Sequence, residues 1–244
     1  LVLTGKKRYV MLISNNKDNA EILLEPYRIE LDSNQRILND YGYQERVGKW
    51  TMGDFTTKKG VKFKAIGAGQ SPRGARNEEV RPDVILFDDL DTDEDCRNTE
   101  IIKKRWNWIE DAAIAVRSIS KKTTILFCGN IIAKDCCVVR AQQFADHVDV
   151  INIRDNNNKS VWDKNTEADV DRVLSQKSYA SQQKEYFNNP ITEGGIFKEM
   201  YYKPLRPLQE YKFLVNYMDL SYKSGAKNDF KASVLMGKWR DEYH

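Results

Sequence analysis

The chain has 244 residues, of which 41% are hydrophobic and 31% charged, which suffices for one large folded domain or for one domain and part of another. Its formal net charge of +3 excludes a strongly basic nucleic-acid-binding tail, and no apolar run reaches the length of a membrane span. The N-terminus lacks the layout of a signal peptide and the cysteines form no CxxC pair, so we predict a protein of a reducing cytoplasm without a zinc site or disulfides.

The first part of the chain alternates short apolar runs with segments of helical periodicity. The run at 84–87 is entirely apolar, as is typical of a central parallel strand. In chain order we predict strands at residues 9–13, 61–65, 84–87, 123–128 and 148–153, and helices at residues 20–31, 101–118 and 169–186. Strands that alternate with helices predict an α/β fold with a mainly parallel sheet.

The character of the sequence changes after residues 194–195, a pair of glycines. Two strands are predicted at 213–218 and 232–236, joined by a polar loop, which is the pattern of a hairpin that begins a second domain. We therefore expect a first domain over residues 1–190, a linker over 191–211 and the start of a second domain over 212–244.

Two consecutive carboxylates, Asp88 and Asp89, follow the apolar run at 84–87. This is the order of the Walker B motif of P-loop ATPases, in which a buried strand carries an acidic side chain to the carboxyl edge of a sheet. There Asp88 can help to hold the Mg²⁺ that bridges nucleotide phosphates, and Asp89 can orient or deprotonate the attacking water. Acidic strand ends are also common as helix caps and turns, and we interpret the acidic run 91–95 as a solvated loop.

Two further turns flank this motif in the sequence. Arg73 and Arg76 lie in a Gly-rich turn after the strand at 61–65, and Arg side chains can offset charge that develops on a transferring phosphoryl group. Gly129 and Asn130 end the strand at 123–128, where they can sense a γ-phosphate in a nucleotide-driven motor. Taken alone, the arginine segment is more typical of a tight surface turn, and Gly129 and Asn130 are also typical of an ordinary turn from a strand into a loop.

The motifs occur in a specific order: a strand, Gly-Gln-x-x-Arg-Gly-x-Arg at 69–76, Arg-Pro-Asp at 81–83, an apolar run, then Asp-Asp. This order resembles the ATPase domain of the large terminase subunits of tailed phages and prophages, and the resemblance covers nearly the whole chain. Residues 6–14 look like the strand that follows the P-loop helix of that family, and residues 123–130 look like its coupling motif. Residues 186–197 resemble its passage from motor to nuclease.

The resemblance implies an α/β fold of the P-loop NTPase (ASCE) type, with helices on both faces of the sheet, followed by the beginning of an RNase H-like nuclease domain. It implies ATP-driven translocation of double-stranded DNA into a procapsid and metal-dependent cleavage of the DNA concatemer. Asp88 and Asp89 would then be catalytic, with Asp88 a ligand of Mg²⁺. Arg73, Arg76, Gly129 and Asn130 would contact the nucleotide.

The second domain adds its own implied residues. Residues 217–221 and 228–232 resemble the opening hairpin of terminase nucleases, so Asp219 is expected to be catalytic and the first ligand of Mg²⁺ or Mn²⁺, with Asp229 as another ligand. An Asp in a hairpin turn is commonly only a turn former, and a single Asp at a strand end can be only a cap.

The family also implies partners and a location. These are double-stranded DNA, a small terminase subunit and a portal protein, with the chain in a homo-oligomeric ring on the portal and no membrane, in the cytoplasm of the infected or lysogenic bacterial host. DNA contacts are expected to be mostly to phosphates. The candidate basic loops are at residues 6–8, 58–59 and 121–122, although each is also typical of a solvated turn.

The chain departs from the family pattern in three ways. It contains no G-x-x-x-x-G-K-[ST] loop, which the family would place upstream of Leu1. Asp89 stands where Glu is frequent, and Asn130 stands where a hydroxyl residue is frequent. We therefore interpret the chain as an internal fragment, inactive in both chemistries, with the remaining nuclease carboxylates beyond His244.

Two other functions are compatible with the sequence. One is a helicase-like ATPase, because apolar runs that end in acidic residues occur there too; a helicase would have a second motor domain, not a metal nuclease, after the linker. The other is a non-catalytic prophage remnant or binding module, which the missing P-loop favours.

Overall fold

The computed structural model describes residues 2–72, 80–191, 206–219, 232–240 and 242–243. The chain divides into two compact units, Leu1–Glu193 and Gly194–His244. Within the described ranges, every helix is too short or too polar to cross a membrane.

The first unit alternates strands and helices along the chain. Its strands are β1 (Tyr9–Ser14), β2 (Glu45–Trp50), β3 (Asp54–Thr57), β4 (Lys62–Gly67), β5 (Val84–Asp88) and β6 (Thr124–Cys128). Its α-helices are α1 (Lys17–Ser33), α2 (Gln35–Tyr41), α3 (Asp93–Cys96), α4 (Thr99–Trp108), α5 (Cys137–Gln142), α6 (Glu167–Ser175) and α7 (Tyr179–Phe187), and α4 continues into a π-helical segment, Ile109–Ile114.

The six strands form one sheet in the order β2-β3-β4-β1-β5-β6. Strands β4, β1, β5 and β6 are parallel to one another, whereas β2 and β3 add an antiparallel extension beyond β4. The predicted α/β fold with a mainly parallel sheet is confirmed. The apolar run at 84–87 lies in β5, a central strand between β1 and β6, while β6 is the last described strand on its side.

Helices cover both faces of the sheet because alternate residues of each strand point to opposite sides. Met11 and Ile13 of β1 belong to the core formed with α4, the π-helical segment and α5, where the Phe87 and Phe127 rings stack with centroids 4.3 Å apart. Leu12 of β1 belongs to the second core, which β3, β4 and α1 complete. The two cores hold the four parallel strands in one register.

The predicted strand at 148–153 is wrong, because nothing in this segment joins the sheet. Its backbone is instead bonded to the end of α7: the Ile153 amide donates to the Tyr186 carbonyl at 2.9 Å, and Asn188 Nδ2 donates to the Ile151 carbonyl at 3.1 Å. The single helix predicted at 169–186 is two helices, α6 and α7, since Ser178 caps a new helix by accepting from the Ser181 amide.

The second unit contains the predicted hairpin. Strands β7 (Phe213–Asp219) and β8 (Ala232–Trp239) pair antiparallel from Phe213 opposite Lys238 to Asp219 opposite Ala232, and β9 (Glu242–Tyr243) pairs with the end of β8. The two strands predicted here are confirmed.

Candidate functional site

The candidate site lies at the carboxyl edge of the parallel strands. Ser14 of β1 is in register with Gly67 of β4, and Asp88 of β5 is in register with Cys128 of β6. Ile13 pairs with Phe87, which places the ends of β1 and β5 at the same level. Four strands therefore deliver their last residues to one row, which is the usual place for ligands in open α/β sheets.

The two predicted carboxylates begin the connection after β5. Asp88 is partly buried, whereas Asp89 is exposed and has a positive φ of 42°, a conformation that few residues other than glycine adopt. The Asp89 amide donates to the Cys128 carbonyl at 3.2 Å, which continues the β5–β6 hydrogen bonding past the strand ends. Backbone strain of this kind is typical of functional sites.

Negative charge accumulates at this row. Burial, and then the charge of Asp89, raise the pKa of Asp88, and burial with the charges of both carboxylates raises the pKa of the Cys128 thiol. Among the described residues, neither Asp88 nor Asp89 has a cationic partner. The carboxylates therefore repel each other, and a bound cation would relieve this repulsion.

Gly67 brings the end of β4 against the start of α1. A Cβ at Gly67 would lie 2.5 Å from the Lys17 amide nitrogen and 2.9 Å from the Asn16 carbonyl carbon. The Gly67 amide donates to Gln70 Oε1 at 3.0 Å, and the Gln70 carbonyl accepts from Trp108 Nε1 at 2.9 Å. These two hydrogen bonds hold the turn from Gly67 to Gln70 at the carboxyl edge.

Gly129 lies beside Asp89, and Asn130 is the next residue of the chain. A Cβ at Gly129 would be 3.3 Å from Asp89 Oδ1, and the φ of +150° there is one that a side chain rarely allows. Asn130 Nδ2 donates to the Glu185 carbonyl at 3.4 Å, so its side chain faces α7. The structure thus brings Asp88, Asp89, Gly129 and Asn130 together.

The acidic run 91–95 is not the solvated loop expected from the sequence. The Asp91 side chain is only 4% exposed, and its Oδ2 accepts from the Cys137 amide at 2.6 Å. One terminal nitrogen of Arg105 lies 3.5 Å from Asp91 Oδ1, 2.8 Å from Asp95 Oδ2 and 2.8 Å from the Leu90 carbonyl. Arg105 therefore fixes the segment that follows the two carboxylates, and no sequence pattern indicated this role.

Helix α7 forms one rim of the site, which sequence reasoning also missed. Lys184 pairs with Asp93 at 2.7 Å, and the Ile131 amide donates to Asn188 Oδ1 at 3.1 Å. These contacts span more than fifty residues of sequence, so no local pattern could have revealed them.

The other predicted site residues have different outcomes. Arg73, Arg76 and Asp229 lie outside the described residues. The backbone of Asp219 ends β7 opposite Ala232, the first residue of β8, and the Asp219 side chain lies outside the described part of the structure.

The donor set at the carboxyl edge fits Mg²⁺ bound together with a nucleotide. Within the described residues, no three His, Cys, Asp or Glu side chains gather closely enough to form a metal cage. Mg²⁺ usually keeps several waters and takes one or two carboxylates together with substrate phosphates, which Asp88 and Asp89 can provide. Burial, and then the charge of Asp89, raise the pKa of Asp88, and a cation bound between the two carboxylates would oppose this rise.

Comparisons with known proteins do not assign the chain to a family. No protein-family model matches it, and no curated protein shows significant similarity to it.

We expect the Asp88→Asn variant to be more stable than the native chain at pH 7. The pKa of Asp88 is raised by burial and by Asp89, so its contribution to stability is complete below the ordinary Asp pKa of about 3.9 and is lost as pH rises through the folded value. The variant should therefore unfold at a higher temperature at pH 7, and the difference should vanish near pH 3. Asp146→Asn, at an exposed position, should leave the unfolding temperature unchanged at both pH values. An Asp88→Asn chain that unfolds at a lower temperature than the native chain at pH 7 would contradict the prediction.

Proposed function

We propose that the chain is part of a large terminase subunit, in which an ATPase drives double-stranded DNA into a procapsid and a metal-dependent nuclease cleaves the concatemer. The observation that carries the proposal is the position of Asp88 and Asp89 at the carboxyl end of β5, between two parallel strands and beside Gly129 and Asn130. That is where a Walker B carboxylate pair has to lie for a nucleotide to reach it.

The first unit would be a P-loop NTPase-like domain of the ASCE type. Its support is the parallel arrangement β4-β1-β5-β6, with acidic residues after β5 and a glycine with a polar residue after β6. The P-loop expected upstream of Leu1 would complete the phosphate site.

Asp88 and Asp89 would have separate roles in hydrolysis. Asp88, partly buried at the strand end, would hold Mg²⁺, which supplies positive charge at the nucleotide phosphates when bound. Asp89 is exposed and has a left-handed backbone conformation, so its side chain does not follow the up-and-down alternation of the strand. It would therefore be available to orient or deprotonate water. Asn130 donates a hydrogen bond to α7, so it would couple the presence or absence of the γ-phosphate to the position of that helix.

The second unit would be the beginning of an RNase H-like nuclease domain. Its support is the antiparallel pairing of β7 and β8, with Asp219 as the last residue of β7. Asp219 and Asp229 would be ligands of Mg²⁺ or Mn²⁺, which activates water and stabilises the departing oxygen in such nucleases.

The partners belong to the same proposal. They are duplex DNA, a small terminase subunit, a portal protein and further copies of the chain in a ring, in the cytoplasm of an infected or lysogenic bacterium. DNA contacts would be sequence-independent because phosphates carry no sequence information.

The proposal is tested with the protein expressed from its complete reading frame. Phosphate release from Mg²⁺-ATP should fall by about 10²-fold or more in Asp88→Asn and Asp89→Asn, while Asp146→Asn keeps the native rate. Asp219→Asn should lose cleavage of duplex DNA and keep ATP hydrolysis. Native ATP hydrolysis in both Asp88→Asn and Asp89→Asn would overturn the proposal, and full hydrolysis in Asp89→Asn alone would remove the role given to Asp89.

A further inference from the structure

The amino ends of the parallel strands carry a row of basic side chains, on the edge of the sheet opposite to Asp88. Lys58 and Lys59 precede β4, Lys6 and Arg8 precede β1, and Lys121 and Lys122 precede β6. Because the strand order is β4-β1-β5-β6, these three loops follow one another along a single edge. We call these six residues the basic edge.

Contacts between the loops make the basic edge continuous. The Lys62 amide donates to the Arg8 carbonyl at 2.9 Å, so the segment before β1 is bonded to the start of β4. Lys7 Nζ donates to the Asp83 carbonyl and to Thr124 Oγ1, both at 3.0 Å, which joins the loop before β1 to the starts of β5 and β6.

The charges of the basic edge are not neutralised by neighbours. All six side chains belong to exposed residues, and none forms an ion pair with a described carboxylate. Two carboxylates lie in this part of the sheet and have other partners: Asp83 accepts from the Arg8 and Tyr9 amides at 2.8 and 2.9 Å, and Glu45 accepts from the Tyr43 hydroxyl at 2.8 Å. Lys58 and Lys59 rest over the Tyr43 and Tyr41 rings, each 5.1 Å from the centroid, which positions both ammonium groups without cancelling their charge.

This concentration of charge contrasts with the whole chain. The net charge is only +3, so six unpaired cations along one edge set up a local positive field while the carboxyl edge is negative. Neighbouring strands are about 4.8 Å apart, so the edge from β4 to β6 extends over roughly 14 Å. A linear polyanion with closely spaced charges fits such a row better than a single small anion does.

We propose that the basic edge binds the phosphate backbone of duplex DNA. The choice of duplex DNA as the polyanion rests on the proposed function, whereas the surface itself is assigned from the charges and contacts above. Lysines and an arginine on short loops contact phosphates without reading bases, so binding is independent of sequence and weakens steeply with salt.

The test is equilibrium binding of the 244-residue chain to a fluorescent 20-base-pair duplex over a range of salt concentrations, without nucleotide. The fourfold variant Lys58→Gln, Lys59→Gln, Lys121→Gln, Lys122→Gln should bind about tenfold or more weakly at low salt, and its log–log salt slope should be smaller by about 3 to 4. The Lys121→Gln, Lys122→Gln double variant should lie between the native chain and the fourfold variant. The control makes the same Lys→Gln change at four exposed lysines elsewhere: Lys103, Lys104, Lys134 and Lys177.

Three outcomes would overturn the inference: no duplex binding by the native chain at low salt, equal losses in the control and the basic-edge variant, or equal competition by polyglutamate of matched charge, which would indicate an acidic polypeptide as the ligand. Asp146→Asn, at an exposed position outside the basic edge, is expected to keep the native affinity for the duplex. If the complete protein hydrolyses no ATP while the basic-edge variant still loses duplex binding, the proposed function is wrong and the DNA-binding surface is supported. If the complete protein hydrolyses ATP while the basic-edge variant keeps native duplex binding, only the DNA-binding surface is wrong.

Discussion

Replacing Arg105 by alanine is expected to destabilise the first unit by about 2 to 4 kcal/mol, because removal of one partner leaves a buried charge without compensation. Asp91 would lose its cation while its side chain stays 4% exposed, and the Leu90 carbonyl would lose a hydrogen bond of 2.8 Å. Asp95 would be affected less, since it is more exposed and also bonds Thr92.

Urea unfolding followed by circular dichroism measures this change. Arg97→Ala is the matched control, because Arg97 precedes the same helix but is exposed, and its loss should cost less than about 0.5 kcal/mol. Adding Asp91→Asn to Arg105→Ala should restore part of the loss, since the buried site is then neutral. An Arg105→Ala chain as stable as Arg97→Ala would contradict the account of the acidic segment.

The pH dependence of the Arg105→Ala variant should change in a defined direction. Although burial raises it, the pKa of Asp95 is held below its ordinary value by hydrogen bonds from Thr92 and Arg105. Asp95 therefore contributes stability above the ordinary pKa of about 3.9, and this contribution is lost as pH falls through the lower folded value. Without Arg105, the loss of stability on acidification should be shallower.

Gly67→Ala is expected to destabilise the chain by about 3 kcal/mol, the upper part of the range for overpacking. The new methyl group would lie 2.5 Å from the Lys17 amide nitrogen, and both sides of this contact are backbone, which cannot rotate away as a side chain can. Relief requires separation of the end of β4 from the start of α1, and the Ala20 and Leu24 side chains of that helix are in the second core.

Gly48→Ala provides the contrasting control for Gly67→Ala. Gly48 has a φ of +76° and no atom within 4 Å of the added Cβ, so its substitution carries only a backbone cost of roughly 1 kcal/mol. Denaturant unfolding should therefore rank Gly67→Ala well below Gly48→Ala in stability. Equal losses would show that the close approach of β4 and α1 is not rigid.

The central strands β1 and β5 could be predicted from the sequence because apolar cores lie against both of their faces. The run at 84–87 is apolar throughout. A strand covered on two sides needs apolar residues at every position, and this does not depend on which strands it pairs with. Strands β2 and β3 were missed since they form an antiparallel extension with charged and glycine residues, and β2 has no buried residue. The helix predicted at 20–31 forms as α1 although Pro26 lies inside it; Pro26 is exposed, while Ala20, Leu24 and Leu31 are buried.

The sequence allowed prediction of those residues of the candidate site that directly follow the end of a strand. Asp88, Asp89, Gly129 and Asn130 met this condition, because the carboxyl ends of parallel strands share one edge. The contributions of Arg105 and Lys184 depend on tertiary contacts with the 91–95 segment, and an isolated Arg or Lys on an amphipathic helix gives no local signal of its partner. The same limit explains the error at 148–153, whose backbone partners lie on α7.

The unpaired side of β6 has a consequence for the behaviour of the chain in solution. Among the described strands it terminates the sheet, and Leu126 in its middle is 48% exposed. A strand with free backbone donors and acceptors and an apolar side chain in the open is a template for pairing with another molecule. Concentrated samples should therefore self-associate through this strand, and a Lys at position 126 should suppress the association.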